Sequence, residues 1–510
     1  FKNSDSYTQS EFLRELYVDT TAGDWDVRLG KQQVVWGTAD GAKLMDIINP
    51  TDYREMAQNA MAESRVPVWM LNMERYLDNG ANVQFIVSQP KPNVFAGLNN
   101  DISSRNRTTT ITNSAAGQSA YDSAGALQVA GTFNNTGINP GHDQGNPFVL
   151  KGVDTITGQR NGFLNIVPDL GNVATQFWGD FGGGANLKLG GTGDTVSSFA
   201  AENAAGVAGF GTPLLAAYGG AGLNGTQVLA GFASMYDTNL FDATGGYEES
   251  GSGQDSVFEY MGGATFATFD AFVNATSEYK RELPDDYDVD FSTRYRNSLD
   301  NGLNYSLAYS YAYEKNPVID ISWRDLSGGK CSTSVAAGHN TVSLSCPDGN
   351  TYGGAGGNAA TLRFTETLER AHNIGTAFDY TMDTDSLGGV VLRSEFLYTK
   401  DAYQPVIDLG QMYIGNITEA LKMEKMDTFK YVLGAEITVL TDMMLSTQFI
   451  QERNLDYVDQ ASQYGSKRKF TADFASMHLT NGFNQAEKNK EFYSIFLSKP
   501  FGASGEGRWN

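Results

Sequence analysis

The feature that most constrains the fold of this chain is a two-residue alternation of apolar and polar side chains. Residues 287–296 place aromatic and β-branched side chains at the odd positions. Four of the even positions are charged: Asp288, Asp290, Arg294 and Arg296. Residues 303–314 repeat the alternation, with leucine and tyrosine alternating with small and polar residues. Because successive side chains of a β-strand point to opposite faces, each segment predicts a strand with one apolar and one polar face.

The turns and the strand length together favour a sheet that crosses a membrane. Leu-Asp-Asn-Gly at 77–80 and again at 299–302 contains Asn-Gly, a strong hairpin signal. Strands of about ten residues cross a bilayer with tilt, and tight turns alternating with long loops are typical of outer-membrane barrels. The sequence therefore predicts an all-β transmembrane antiparallel β-barrel with short periplasmic turns and long extracellular loops. We expect about 14 visible strands, and about 16 if the barrel is complete.

Long connections are expected on the outer side, and one of them is unusual. The predicted outer loops are 37–65, 90–255, 280–286, 314–360, 400–426 and 458–467. The scheme also needs a turn within 256–279, which Gly262-Gly263 can supply. Residues 96–255, rich in Gly, Ala and Asn, form an insertion within the single barrel that spans 1–510. An insertion of this length is usually functional or disordered. It is expected to be either a plug or cap over the lumen or an external subdomain that binds a partner.

Charge and cysteine content restrict the partners and the compartment. The chain has 59 acidic and 36 basic residues, a net charge of −23, which argues against nucleic acid because phosphate binding needs a basic patch. Acidic loops suit a surface of outer-membrane lipid and lipopolysaccharide rich in divalent cations, and they equally favour solubility. Cys331 and Cys346 lie in one polar, glycine-rich stretch and are predicted to form a disulfide in an oxidising compartment.

Charged residues on the polar face of the predicted strands are the candidates for lining a lumen. A charge on the lipid face costs about 2–4 kcal/mol at the bilayer midplane, so these side chains are expected to point inward. Facing rows of opposite charge can order water and select solutes, or they can simply neutralise one another across the wall. The candidates are Asp24, Asp26, Arg28, Asp288, Asp290, Arg294, Arg296, Arg393 and Glu395.

A second candidate site follows the strand that ends at Trp36-Gly37. Asn49 can cap a helix whose first residue is Pro50, and residues 50–63 contain no helix breaker after it. A short helix is therefore predicted, with Asn49, Pro50 and Asp52 at its start. Two positions are open for it: it folds inward and narrows the pore, or it packs on the surface against neighbouring loops.

Signatures of catalysis are absent from the sequence. The four histidines are scattered without metal-ligand spacing, and the two cysteines form no Cys-x-x-Cys pair. We find no Gly-x-Ser-x-Gly elbow, no phosphate loop and no dinucleotide fingerprint after a strand. We therefore expect a protein that is not an enzyme, with no catalytic residues, no cofactor and no metal.

One short motif resembles a known family. Residues 30–37, Gly-Lys-Gln-Gln-Val-Val-Trp-Gly, are followed by Asp46 and by Asn49-Pro50-x-Asp52. This pattern resembles a proteobacterial outer-membrane family known as domain of unknown function 1302. The resemblance implies a Gram-negative outer-membrane barrel, and the exporter-like permeases often encoded near such proteins imply traffic of hydrophobic molecules. It assigns no catalytic or ligand residues, and the insertion at 96–255 departs from the family pattern.

Two functions are expected on these grounds. The first is passage of small, hydrophobic or amphipathic molecules through a porin-like barrel in the outer membrane. The alternative is a structural or surface-interaction barrel whose large loops bind a partner or neighbouring copies of the chain.

Overall fold

The computed structural model describes about half of the chain. The described residues are 13–39, 43–54, 63–94, 268, 276–285, 287–336, 342–352, 360–385, 388–439, 442–464, 467–473, 484–501 and 507–509. The predicted insertion at 96–255 and the predicted Gly262-Gly263 turn lie outside them.

Strands dominate the described residues. They are β1 (Leu16–Ala22), β2 (Trp25–Gln32), β3 (Val68–Tyr76), β4 (Asn82–Ser88), β5 (Thr276–Glu282), β6 (Asp290–Ser298), β7 (Leu303–Tyr313), β8 (Val318–Arg324), β9 (Ser332–Val335), β10 (Val342–Ser345), β11 (Thr361–Thr367), β12 (Arg370–Thr384), β13 (Gly388–Asp408), β14 (Leu421–Val439), β15 (Met443–Asn454), β16 (Asp459–Ala461), β17 (Arg468–Thr471), β18 (Asn489–Phe501) and β19 (Gly507–Trp509). Two short helices, α1 (Leu409–Tyr413) and α2 (Ile417–Ala420), connect β13 to β14. No helix in the described ranges has both the length and the apolar character needed to span a membrane.

One antiparallel sheet of 14 strands organises the chain. Its main path is β1-β2-β3-β4-β6-β7-β12-β13-β14-β15-β18-β19, and the short strands β16 and β17 join it beside β13. The predicted all-β antiparallel class is therefore confirmed. Within the described residues, β1 pairs with β2 alone and β19 with β18 alone, so the two edges of the sheet do not pair with each other.

The two faces of the sheet differ as the alternation predicts. On β4, the side chains of Asn82, Gln84, Ile86 and Ser88 are buried, whereas those between them are partly exposed. On β7, Ala308, Ser310 and Ala312 at even positions are buried, and Leu307, Tyr309 and Tyr311 at odd positions are exposed. We call the buried face the inner face and the opposite one the outer face.

A row of aromatic side chains crosses the outer face. Neighbouring rings on β12, β13, β14, β15 and β18 lie 5.1–6.4 Å apart between centroids. The row consists of Phe378, Phe396, Phe429, Tyr431, Phe449 and Tyr493. Aromatic pairs at this spacing contribute about 0.5–1.5 kcal/mol beyond the area they bury.

The chain path differs from the predicted scheme in two places. Strand β5, which begins near the end of the predicted turn region 256–279, pairs in parallel with β11 in a separate three-stranded sheet with β8 rather than in the main sheet. Its sequence, Thr-Ser-Glu-Tyr-Lys-Arg-Glu, carries no apolar face. Residues 400–426 are not a simple loop, because β13 continues to Asp408 and β14 begins at Leu421. A bulge between Thr399 and Ala402, with Asp401 at φ 65°, interrupts the alternation there.

A second packed region covers one end of the sheet. Strand β8 contacts both β14 and α2, and its residues Ile319, Ile321 and Trp323 are buried. Next to it, the two-stranded hairpin β9–β10 carries the predicted disulfide between Cys331 and Cys346. Closing a loop of this length contributes about 3 kcal/mol by the chain-entropy argument.

Candidate functional site

A loop segment lies across the inner face of the sheet. We call residues 33–39 and 43–53, which follow β2, the inner segment. Its apolar side chains form one buried cluster with the strands, made of Val34, Trp36, Leu44, Met45 and Ile48 from the segment and Val68, Met70, Ile86, Ala308, Leu397 and Val432 from β3, β4, β7, β13 and β14. Because strands as distant in the sheet as β3 and β14 contact the same segment, the sheet wraps around it.

Glu395 on β13 fastens one part of the inner segment. Its side chain is buried, and its carboxylate accepts hydrogen bonds from the backbone N–H groups of Thr38, Ala39 (2.8 Å) and Met45 (3.2 Å). The Thr38 hydroxyl donates to the same carboxylate at 3.2 Å. Hydrogen bonds to a charged acceptor are about twice as strong as neutral ones. Glu395, predicted to line a lumen, therefore holds the segment in place.

Asp46 and Trp36 fasten the middle of the inner segment. Asp46 Oδ1 accepts the N–H groups of Trp36 and Gly37, both at 3.0 Å, and Asp46 Oδ2 forms an ion pair with Arg65. The Trp36 indole N–H donates to Gln84 Oε1 on β4 at 2.8 Å. The Asp46 contacts hold two parts of the segment together beside Glu395, and the Trp36 contact ties the segment to β4.

The helix predicted to begin at Asn49 and Pro50 is wrong for residues 50–54, and 55–62 lie outside the described residues. Asn49 Oδ1 accepts the N–H of Val34 at 2.8 Å, and its amide donates to the carbonyls of Gln32 and Val66. With its side chain used in this way, Asn49 has no group left to cap a helix. The chain that follows is extended.

The extended course after Asn49 is fixed by bridges on both sides. Thr51 forms an antiparallel bridge with Arg65, and Asp52 a parallel bridge with Val94. The Asp52 side chain forms a nearly buried ion pair with Arg54 at 2.6 Å. The residues predicted to start a constriction helix thus anchor an extended segment instead.

Most of the predicted lumen residues lie on the inner face, and most are paired there. The pairs are Asp290 with Lys315 (2.8 Å), Arg393 with Glu436 (3.1 Å), Arg296 with Glu74 (3.4 Å) and Arg28 with Asp19 (2.6 Å). Arg294 lies over the Trp36 ring, with its Cζ 5.4 Å from the ring centroid, and Asp26 is opposite Glu74 in the strand register. Mutual neutralisation therefore accounts for much of the pattern. Whether these residues also line a lumen stays a prediction.

Two of the predicted lumen residues lie outside the strands. Asp24 is in the turn between β1 and β2, where its side chain is 77% exposed and pairs with Arg75 at 2.9 Å. Asp288 precedes β6 and accepts a hydrogen bond from the Tyr313 hydroxyl at 3.0 Å. Alternation alone placed both inside, but neither belongs to a strand, so the two-residue period does not govern its direction.

A cavity of about 520 Å³, which we call the inner cavity, lies beside the inner segment. Residues of the segment form one wall, and residues of β13, β14, β15 and the stretch after β7 form others. Its charged lining consists of Lys43, Lys315, Lys430, Arg453, Lys488 and Lys490 and of Asp46, Glu314, Glu452, Asp473 and Glu487. Such a chamber can hold a small polar or amphipathic molecule.

Sequence reasoning missed most of the charged residues in the inner cavity. Lys430 and Glu452 occupy even positions of β14 and β15, which lie on the inner face. Applying the two-residue alternation to these strands would therefore have predicted both residues. No local signal identifies Lys43, because it lies outside any strand and only the fold of the inner segment brings it to the cavity.

Burial shifts the ionisation of groups in the cavity wall. It lowers the pKa of the Lys43 ammonium to about 8, and the nearby Arg65 adds to this effect, while Asp46 and Asp52 act against it. Burial also raises the pKa of Glu314, while Lys315 and Lys430 act against that shift. Both directions follow from the cost of removing a charge from water. A solute of complementary charge would offset that cost.

Gly375 on β12 allows the inner segment to approach the sheet. A Cβ atom at this position would overlap with Cε and Sδ of Met45, which is fully buried. We expect Gly375→Leu to destabilise the protein by about 1–3 kcal/mol, the usual cost of overpacking. Thermal or denaturant unfolding of the refolded protein measures the loss. The double variant Gly375→Leu/Met45→Ala should recover most of it, and an equal loss in both variants would contradict this packing.

Comparison with known proteins identifies a family. The family described as "Protein of unknown function (DUF1302)" matches residues 2–492, nearly the whole chain. No curated protein and no solved structure matches the chain. The residues that carry the resemblance in the sequence, among them Trp36, Asp46 and Asn49, are the ones that fasten the inner segment.

Proposed function

This chain belongs to the family of unknown function DUF1302, and from that premise we propose that it is an outer-membrane β-barrel through which small molecules pass. The coarse features that support the proposal are an all-β fold and a large antiparallel sheet. The family itself has no assigned function, so the argument for passage comes from the residues of the sheet and of the inner segment.

The observation that carries the proposal is the separation of side chains between the two faces. The outer face presents leucine, isoleucine and a continuous aromatic row. The inner face presents charged, amide and hydroxyl side chains around the apolar cluster that packs against the inner segment. This arrangement suits lipid outside and water or packed polar groups inside. Closure of the sheet into a barrel would also satisfy the backbone groups of its two edges, which a membrane requires.

The interior of the sheet has the features of a restricted passage. The inner segment fills part of the space that a closed sheet would surround, and the inner cavity lies beside it. Small molecules would pass through the remaining space, and the segment would set its width. The cargo expected from the resemblance is hydrophobic or amphipathic, and the mixed polar and apolar lining of the cavity suits an amphipathic one.

Planar-bilayer recording of the purified protein tests passage directly. We expect discrete conductance steps from the full chain reconstituted in lipid, and recovery of the expressed protein in the outer-membrane fraction. A protein that is freely soluble without detergent would overturn both the barrel and the passage. A membrane-inserted protein without conductance would overturn passage alone.

A second candidate function is surface interaction, and one observation favours it. The sheet of β5, β11 and β8, together with the disulfide-closed hairpin β9–β10, forms a packed region at one end of the main sheet. A barrel that serves only as an anchor for such a region would be silent in bilayers. Binding of the cell surface or of a second copy, lost when the β9–β10 hairpin is deleted, would support this candidate.

A further inference from the structure

We propose that Lys43 binds the carboxylate of a small amphipathic organic anion in the inner cavity. The inference rests on the proposed function, because such a site serves passage only if solutes enter the interior of the sheet. It narrows the cargo from any small amphipathic molecule to one that carries an anionic group. Three features of the cavity support it, namely the state of the Lys43 ammonium, the charge of the lining and the apolar side chains beside Lys43.

Lys43 has hydroxyl neighbours but no carboxylate partner. Its Nζ donates to Ser64 Oγ at 2.6 Å and lies 3.5 Å from Thr51 Oγ1. No ion pair in the described part of the chain includes it. Other lysines of the cavity do have partners: Lys315 pairs with Asp290, Lys430 with Glu452 and Lys490 with Asp473. An ammonium that is partly desolvated and not neutralised attracts a small anion.

The lining of the inner cavity departs from the charge of the chain. Acidic residues outnumber basic ones 59 to 36 overall, whereas basic side chains slightly outnumber acidic ones in the cavity wall. Several of the acidic groups there are already committed, since Asp46 pairs with Arg65 and Glu452 with Lys430. The wall is therefore less acidic than the chain as a whole. Among its cations, Arg453, Lys488 and Lys43 have no ion pair in the described residues, and of these three only Lys43 is partly buried, the other two being exposed.

Apolar side chains lie next to Lys43 in the same wall. Leu44 and Ile47 follow it in the inner segment, and Leu397 and Ile450 contribute from β13 and β15. A molecule with a carboxylate at one end and a short hydrocarbon part at the other would match this pairing of an ammonium with apolar surface. A cation of the same shape would leave the Lys43 charge unneutralised and add a second one.

Equilibrium dialysis with radiolabelled hexanoate tests the proposal on the full chain in lipid nanodiscs, with empty nanodiscs as the background. We expect saturable binding that Lys43→Gln weakens about tenfold, in the range of a charge-assisted hydrogen bond. Lys43→Arg should retain binding. Lys330→Gln is the matched control, because Lys330 is exposed and lies outside the cavity lining. Unchanged thermal unfolding of each variant shows that the fold is intact.

The outcomes separate this inference from the proposed function. Equal hexanoate binding by wild type and Lys43→Gln, or binding of hexylammonium as strong as that of hexanoate, would overturn the anion site. Conductance in bilayers without hexanoate binding would support the pore and contradict the anion site. Hexanoate binding that depends on Lys43, in a protein that shows no conductance, would support the anion site and contradict passage through the barrel.

Discussion

Replacement of Glu395 by alanine is expected to release the inner segment and to raise the single-channel conductance. The Glu395 carboxylate accepts hydrogen bonds from three backbone N–H groups of the segment, and the Glu395 side chain is nearly excluded from solvent. The Met45 N–H is buried, and a buried donor left without an acceptor costs about 1–3 kcal/mol, so the fastened position loses roughly this much. The segment should then leave the inner face, and limited proteolysis should cleave it faster than in the wild type.

Glu436→Ala is the matched control for this experiment. Glu436 is also an inner-face carboxylate, but its partner is Arg393 on the neighbouring strand rather than the inner segment. We expect wild-type conductance and wild-type proteolysis from it. If Glu395→Ala and Glu436→Ala behave alike in both measurements, Glu395 does not hold the segment across a passage.

A charge on the outer face is expected to be the most damaging surface substitution in lipid. Leu433 on β14 is 46% exposed and lies opposite Phe449 in the register, next to the aromatic row. If lipid surrounds this face, Leu433→Arg costs about 2–4 kcal/mol near the bilayer midplane. Unfolding by urea in lipid vesicles measures the change.

Thr428→Arg on the same strand is the control, because Thr428 lines the inner cavity. We expect Thr428→Arg to fold nearly as well as the wild type in vesicles. Equal stability of both arginine variants in vesicles would contradict a lipid-facing outer face. A strong loss for Leu433→Arg in detergent-free buffer, with the protein soluble, would indicate an ordinary buried sheet face instead.

The alternation of side chains could be predicted from the sequence because it is a local property of the extended backbone. The two-residue alternation predicts that Asp290, Arg294, Arg393 and Glu395 share the polar face of their strands, and the structure has them on the inner face. Asp24 and Asp288 lie outside the strands, where the alternation does not determine the direction of a side chain. The predicted loop at 400–426 was wrong, because β13 continues past the bulge at Asp401, where one extra residue changes the phase of the alternation in the rest of that strand.

The site itself depends on contacts that no local pattern encodes. Asn49 before Pro50 has the chemistry of a helix cap, yet the carbonyls of Gln32 and Val66 and the N–H of Val34 use its side chain instead. Tertiary partners outweighed local propensity there. Lys43 reaches the cavity only because Glu395 and Asp46 hold the chain on either side of it. Neither the partners of Asn49 nor the contacts that position Lys43 can be predicted from the spacing of residues in the sequence.

The long sequence separation between the inner segment and Glu395 has a consequence for assembly of the protein. Most strands pair with a neighbour close in sequence, but Thr38 and its carboxylate partner are 357 residues apart. Contacts between distant residues form late, because loop-closure entropy must be offset first. The fastening of the segment is therefore a late step that requires β13 to be in place. A nascent sheet that stops before β13 would leave its N-terminal segment untethered, exposed to proteases and unable to set the width of the interior.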